Sequence, residues 1–414
     1  MPGVRNSISA LRGHDHPMIL AKKLSRFVPA AVVRSSVALA GRVLDRPLSN
    51  VFGSLYPRTA LISYLAAPFR RRPGLGHTNA VEVLEIGKAL HDLGFRVDVV
   101  HYEYKGKIDF DTYDILLGFG DPLVRSFQFR RKDIRTVYYG TGMHVLHQNS
   151  ASLRRVEELH RKRGCWVLES ARVVEKTYSA QTSLVDAMVV LGNEKVADSY
   201  RSQYQGKIYS LPPSFFNVID AWKLLSQKQI GEAAKNFCWF GGRGAVHKGL
   251  DLLLDFFREN PWLHLHVCGP IDGEPYFKEC FHEELYRTRN IHTHGFVRLD
   301  SPLFGDVMAR CAFVVFPSCS EGAPSSVLNV MGNGGLIPIL TPETGIDIEG
   351  FGVTIPKPSQ EDIREAILHA SAMPASEVRK RSEATIEFTV SRHSLVSYAN
   401  NLRVALTDII EGSP

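Results

Sequence analysis

Apolar runs a few residues long recur along this chain, each followed by a turn and then by apolar positions at helical spacing. From Thr59, ALISYLAA has the near-continuous apolar character of a strand buried on both faces. The next stretch, RRRPGLGHTN, reads as a loop with glycines at Gly74 and Gly76. The spacing of Val81, Val83, Leu84, Ile86, Ala89 and Leu90 predicts a helix from about Ala80 to Leu93, with Gly94 as its C-cap and Phe95 to His101 as the next strand. Further strands are expected at 115–120 (ILLGFG), 136–140 (TVYYG) and 187–192 (AMVVLG), with helical stretches including Leu153 to Lys162 and Glu194 to Gln203. Strand–helix alternation of this kind predicts a doubly wound parallel sheet.

The pattern pauses over KIYSLPPSFFNVID and restarts at NFCWFGG, so residues 213–235 read as a link between two such domains. The second set has strands at 236–241, 263–268, 291–296, 312–316 and 336–340, and helices at 249–258, 276–288, 302–310 and 326–333. A long, mostly amphipathic helical segment runs from Ala375 to Ile410. Two parallel-sheet domains of the α/β class place a cleft at the carboxyl ends of their strands, where ligands of such folds bind.

Two loops predicted at that cleft carry the candidate chemistry. After strand 312–316 come Pro317 and Ser318, a lone Glu321, then Gly322, Ala323 and Pro324, with Ser325 and Ser326 able to cap a helix starting near Val327. One carboxylate and a fan of free N–H groups beside a helix N-terminus make a natural anion seat. After strand 236–241 comes GGRGAVHKGLD, where Arg243 and Lys248 bracket a glycine-rich turn that suits a diphosphate. The turn lacks the GK[ST] ending of a Walker loop, and no strand leads into a dinucleotide-type GxGxxG.

Composition narrows the classes. A chain of 414 residues has the length of two domains, and 44% hydrophobic with 22% charged residues is ordinary for a soluble globular protein. No uninterrupted apolar run approaches the roughly 20 residues of a membrane-spanning helix. The six cysteines form no CxxC pair and read as buried free thiols of a reducing compartment. The net charge of +6 lies wholly in residues 1–50, and the 41 basic and 41 acidic residues beyond them cancel. The bulk of the chain therefore has no positive excess for nucleic acid. In the arm, Ile19, Leu20, Leu24, Phe27, Val32, Val33 and Val37 alternate with Lys and Arg between Met18 and Leu44. That is the pattern of a basic amphipathic helix, broken near Pro29, on an anionic membrane surface. It equally suits a helix packed on the protein's own surface, and its composition is similar to an organellar transit peptide.

Taken together, GGRGAVHKGLDLLLDFF, HLHVCGP ending at Gly269, IHTHGFV and PSCSEGAPSSVLNVMGNGG resemble the donor half of a GT-B glycosyltransferase. The pattern is most similar to the retaining glycosyltransferase family 4, in order and register over about 236–345, fainter across 58–212, with residues 1–57 outside it. The resemblance implies two Rossmann-like domains facing a cleft. Residues 1–57 would be a basic extension, 58–212 the acceptor domain, 213–235 the linker, 236–388 the nucleotide-sugar domain and 389–414 a C-terminal helix packing back on the first domain.

The resemblance implies site residues as well. Arg243 and Lys248 match the basic pair that holds the donor's diphosphate, with Gly242 beside them. Glu321 matches the first of two signature glutamates and would contact hydroxyls of the transferred sugar. Gly322, Ala323, Pro324, Ser325 and Ser326 match the loop whose amides meet sugar and phosphates, and Val297 a backbone contact to the base. The second signature glutamate, a ribose ligand in the family, is Asn329 in this chain, which carries no charge and donates as well as accepts. On the acceptor side stand Gly74, Gly76, His77, Thr78 and Thr141, with His144, ahead of His147, as the catalytic histidine that family members place after this strand.

A retaining enzyme of this type uses the donor phosphate to take the acceptor's proton. It needs no cofactor and no metal, since the nucleotide-sugar is a co-substrate and protein cations replace the metal. The reading is thus a cytoplasmic glycosyltransferase building a surface glycan or glycolipid, held peripherally on the inner membrane face where the arm binds anionic lipid. Its partners are a nucleotide-sugar and a glycan or lipid-linked acceptor, not nucleic acid. The alternatives are a nucleotide-sugar epimerase or phosphorylase of the same fold, or an inactive sugar-nucleotide-binding paralogue. Asp109 and Asp111 form a DxD without other features of the metal-dependent fold, and read as a surface turn. His264/His266 and His292/His294 alternate along strands and read as strand-end histidines rather than metal ligands.

Overall fold

The computed structural model describes residues 46–176 and 178–412. It contains two six-stranded parallel sheets. The first is built from β1 (Arg58–Tyr64), β2 (Phe95–His101), β3 (Ile115–Gly118), β4 (Arg135–Gly140), β5 (Ala187–Leu191) and β6 (Lys207–Leu211), in the order β2-β1-β3-β4-β5-β6. The second has β7 (Asn236–Phe240), β8 (His264–Cys268), β9 (Ile291–Gly295), β10 (Phe313–Phe316), β11 (Ile337–Leu340) and β12 (Val353–Thr354), in the order β12-β11-β10-β7-β8-β9. In each sheet the chain winds outward on one side and then crosses to the other. The reversals fall between β1 and β3 and between β7 and β10, and these are the points where doubly wound sheets open a ligand crevice.

The central strands are buried on both faces: all but the first residues of β1 and β7, and the whole of β3, β5, β10 and β11. β6 lies inside the stretch where the apolar pattern pauses, because it is an edge strand. Of KIYSL only Leu211 is fully buried, and it pairs with β5 alone. Pro338 sits in the middle of β11 at little cost. The N–H of Ile337 donates to the Ala312 carbonyl just ahead of β10, so the position of the missing proline donor faces the other side, where pairing with β12 begins only at Ile339.

Three boundaries differ from the sequence reading. Residues 46–57 are not outside the first domain: Leu48 bridges Val99 antiparallel to β2, the Val51 amide bonds Val97, and Leu48, Val51 and Phe52 pack on the first core. The linker folds into short helices at Ala221–Gln227 and Ile230–Ala233, and Lys228 between them is buried, donating to the carbonyls of Cys311 and Gly334 at 2.8 and 2.7 Å. The C-terminal segment is two helices, Ala375–His393 and Leu395–Glu411, broken at Ser394. The second places Tyr398, Leu402, Leu406 and Ile409 in the first core.

The helix after β4 is the main bridge between the halves. It spans Val145–Arg163, starting well before the predicted stretch, and it packs Val156 and Leu159 into the core of the second domain. Arg155 pairs with Asp251 at 2.7 Å with both side chains buried, Lys162 pairs with Asp255 and Arg163 with Glu284. Among the described residues no helix is long and apolar enough to cross a membrane. The proposed membrane helix of Met18 to Leu44 lies outside the described residues.

Candidate active site

Because β7 and β10 are neighbours, the loops that follow them lie side by side. The turn Gly241–Lys248 leads from β7 into the helix Leu250–Glu259, and Pro317–Pro324 leads from β10 into the helix Ser325–Gly334. Gly249 marks how close they come: its φ is 69°, and a Cβ there would collide with the Pro317 carbonyl. Across this contact Lys248 Nζ bonds Glu321 Oε1, with both side chains buried.

Glu321 is the electrostatic centre of the site. Burial alone would raise its pKa, but the Lys248 ammonium, the His247 ring at 3.6 Å and the Arg172 guanidinium at 3.3 Å outweigh it. The carboxyl is held well below its usual range and is ionised throughout the physiological window. His247 is fixed from both sides. Its Nε2–H donates to the Ser320 carbonyl at 2.6 Å, which leaves Nδ1 to accept from Ser152 Oγ at 2.6 Å. Ser152 belongs to the bridging helix, so the first domain buttresses the second domain's wall of the cleft. The sequence signal for His247 is its place beside Lys248 in GAVHKG. Arg172, in the polar stretch SARVVEK, carries no local signal at all.

The helix after Glu321 starts at Ser325, not near Val327. Pro324 occupies the N-cap, and neither serine caps the helix. With Pro324 unable to offer an acceptor side chain, the first amides of the helix stay open toward the cleft. Ala323 has φ 53°, a left-handed conformation that costs a non-glycine residue roughly 1 kcal/mol. It is held there by its own N–H to Thr344 O at 2.9 Å and by Glu321 N–H to Glu343 O at 2.8 Å. In the β7 turn, by contrast, the backbone donors are taken. The amides of Gly244 and Ala245 are not free: they donate to the buried Glu274 at 2.7 and 3.0 Å.

These loops and the first domain enclose a cleft of about 970 Å³. The second domain supplies Gly242, Arg243, Lys248, the run Phe296 to Asp300, Glu321 to Ser326 and Asn329. The first supplies Gly74 to Asn79, Thr141, Arg172 and Leu191. Val297 itself is buried, whereas Phe296 is 69% exposed, so the backbone of this run and the Phe296 ring face the space. Thr78 is buried at the start of the helix Asn79–Asp92, and enclosure together with the Arg172 charge pushes the His77 imidazole pKa down. Thr141 and Gly142 press so closely on Gly322 that a Cβ there would lie 2.7 Å from Gly142 Cα.

His144 is a correction: it does not line the cleft. Its ring is buried as the N-cap of the bridging helix, with Nδ1 accepting from Leu146 N–H at 3.3 Å and Nε2 against Thr182 Oγ1 at 3.0 Å. Both nitrogens are occupied, so the histidine fixes a helix start and cannot reach a substrate. His147 is likewise outside the cleft. Asn329 lines it, but its side-chain oxygen is engaged, accepting from the Phe216 amide at 2.8 Å. One turn on, Asn333 accepts from Val218 and Ile219, so the two asparagines tie the crossing segment to this helix. Asp109 caps a short turn and Asp111 accepts from the Arg131 amide, both away from the cleft. His264 and His266 bond His292 and His294.

No protein-family model and no curated protein matches the chain at the level of sequence. Solved structures do match. A glycosyltransferase from Rickettsia africae superposes with a TM-score of 0.56 at 11% identity, covering 86% of this chain and 100% of that one. Anabaena HepE in complex with UDP-glucose gives 0.52 at 13%, covering 85% and 99%. A trehalose-6-phosphate synthase structure, described in terms of glycosyltransfer with retention, gives 0.53 at 10%, covering 86% and 100%. The fold is GT-B. Within a GT-B frame, the loops after β7 and β10 form the wall of the second domain, and the loop after β1 faces them from the first.

Proposed function

We propose that this GT-B protein is a retaining, metal-independent glycosyltransferase that moves a sugar from a nucleotide-sugar to a glycan or lipid-linked acceptor. Its setting would be the cytoplasmic assembly of cell-surface polysaccharide or glycolipid. The observation that carries the reading is the buried Lys248–Glu321 pair at the switch point of the second sheet, between Arg243 and the open amides of Ser325 and Ser326. An ionised Glu321 accepts hydrogen bonds from sugar hydroxyls. Arg243 and the helix N-terminus face the diphosphate, whose charge grows as the sugar–phosphate bond breaks.

Retention is supported by what the carboxylates of the cleft are doing. Glu321 is paired with Lys248 and Asp300 with Arg298 at 2.7 Å, so neither is an independent nucleophile or base, and the donor phosphate is left to take the acceptor's proton. Arg243 and the open helix N-terminus supply positive charge of the kind a metal brings elsewhere. HepE and the trehalose-phosphate synthase are similar in fold, and HepE's complex with UDP-glucose makes UDP-sugars the first donors to try.

The test is a panel of UDP-, GDP-, ADP- and dTDP-sugars assayed for transfer and hydrolysis. Arg243→Ala and Glu321→Ala, each shown to be folded, should lower the rate about a hundredfold. Wild-type rates in both variants would remove the site assignment. Donor conversion without an acceptor would indicate an epimerase or phosphorylase, and binding without turnover a sugar-nucleotide-binding protein.

A further inference from the structure

We propose that Arg172, carried by the first domain, is the second diphosphate-binding cation of the cleft, acting with Arg243 across the domain boundary. This rests on the nucleotide-sugar reading of the site and departs from the pairing of Arg243 with Lys248 that the sequence pattern implies. Lys248 is poorly placed to meet a phosphate, because its side chain is only 5% exposed and its ammonium is engaged by Glu321. The turn around it does not compensate, because the Gly244 and Ala245 amides are taken by Glu274. Among the described residues lining the cleft, a diphosphate therefore meets one unengaged cation from the second domain, Arg243.

Arg172 fills the deficit. Its aliphatic stem lies on the β7 turn: a Cβ on Gly244, whose φ is 96°, would come within 2.7 Å of Arg172 Cγ and 3.0 Å of Cδ. The guanidinium reaches Glu321 Oε2 at 3.3 Å, yet the side chain is 46% exposed and lines the cleft, so part of its donor fork faces ligand space. The backbone of Arg172 is anchored through both its polar groups. Its N–H donates to Ser152 Oγ at 3.2 Å and its carbonyl accepts from Gln148 Nε2 at 2.7 Å. Both partners lie on the bridging helix, which the Arg155–Asp251 pair fastens to the second domain. The same Ser152 hydroxyl bonds His247, so one residue positions the arginine and the ring beneath Glu321.

Charge matching points the same way. Among the charged residues lining the cleft, Arg298 cancels Asp300 and Lys248 cancels Glu321, leaving Arg172 and Arg243. Those two positive charges match the two negative charges of a nucleotide-sugar diphosphate, one from each wall. A planar guanidinium offers a bidentate fork to phosphate oxygens, which an ammonium does not.

The test is titration calorimetry with UDP, GDP and ADP, continued with whichever binds tightest and with its monophosphate. Arg172→Ala should weaken the diphosphate roughly ten- to a hundredfold while changing the monophosphate less, and Arg172→Lys should recover part of the loss. Equal weakening of both nucleotides, with a lowered melting temperature, would make Arg172 a structural residue and overturn the proposal. Wild-type diphosphate affinity in Arg172→Ala, alongside a loss in Arg243→Ala, would overturn it while leaving the donor site standing. Absence of nucleoside diphosphate binding by the wild type would overturn both.

Discussion

The Glu82 carboxylate accepts the backbone N–H of Ser214 at 2.8 Å and its hydroxyl at 2.9 Å, from a position with no exposure to solvent. Glu82 is on the first helix of the first domain, and Ser214 is where the chain crosses to the second. Burial raises the carboxyl pKa to about 7, against the opposing effect of the Ser214 and Thr78 hydrogen bonds. A raised acid pKa means the folded state holds its proton after the unfolded chain has lost it. Stability should therefore fall as pH rises from about 4.5 to 7, by an amount on the order of 3 kcal/mol. Glu82→Gln, which mimics the protonated form, should melt higher than the wild type at pH 8 and equally at pH 4.5. Thermal unfolding at the two pH values decides it.

The histidines of β8 and β9 impose the opposite slope. His264 bonds His292 at 3.1 Å and His266 bonds His294 at 3.0 Å, so at least one ring of each pair must be neutral to accept, and Arg310 adds a positive charge near His266. Burial, then the neighbouring histidines, lower His266 to about 3. A base with a depressed folded pKa contributes its stability above the unfolded value near 6.5 and loses it as pH falls below that. At pH 5 the loss from His266 alone is roughly 2 kcal/mol. His266→Asn should flatten the acid limb of a urea-denaturation series between pH 6.5 and 4. An unchanged limb would show that the ladder does not govern acid unfolding.

The Lys248–Glu321 pair should behave as a buried ion pair rather than as a surface one. Lys248→Met leaves Glu321 buried with the Ser318 hydroxyl, the neutral His247 and the half-exposed Arg172 to answer its charge, at a cost of roughly 3 kcal/mol. The double variant Lys248→Met/Glu321→Gln removes both charges and should regain most of that stability in urea denaturation. Donor turnover should be lost in single and double variants alike. A double variant no more stable than the single would mean the pair is held by packing, not by charge.

The fold is legible in the sequence where burial is symmetric. β1, β3, β5, β7, β10 and β11 are apolar on both faces and stand out as unbroken runs, whereas β6 and β12 are edge strands whose exposed residues dilute the pattern. The helices Asp121–Phe129 and Gln360–Ser371 lie outside the expected set, although Ile363, Ala366, Ile367 and Ala370 of the second are buried at helical spacing. Within the site, Arg243, Lys248, Glu321 and the loop to Ser326 follow directly on strands, so local order reveals them. Arg172 and His247 act through contacts with residues distant in sequence, Glu321 and Ser152, which no local pattern encodes. His144 is the complementary case. Its position after a strand is visible in the sequence, but the hydrogen bonds to Leu146 and Thr182 that occupy its ring are not.

The basic arm gives the last prediction, and the structure sets where to cut. Leu48 pairs with β2 and Val51 and Phe52 join the first core, so deletion must stop at residue 45 to leave the domain intact. Residues 1–45 carry seven basic and two acidic side chains, and each Lys or Arg close to an anionic bilayer contributes about 1 kcal/mol. The full chain should co-float with liposomes rich in anionic lipid and detach as salt rises, since the attraction is screened over a Debye length of about 8 Å at physiological ionic strength. The chain lacking residues 1–45 should stay in solution with its melting temperature unchanged. Equal flotation of both chains would place membrane binding elsewhere or remove it. Equal flotation from neutral and anionic liposomes would assign it to the apolar face rather than to the charge.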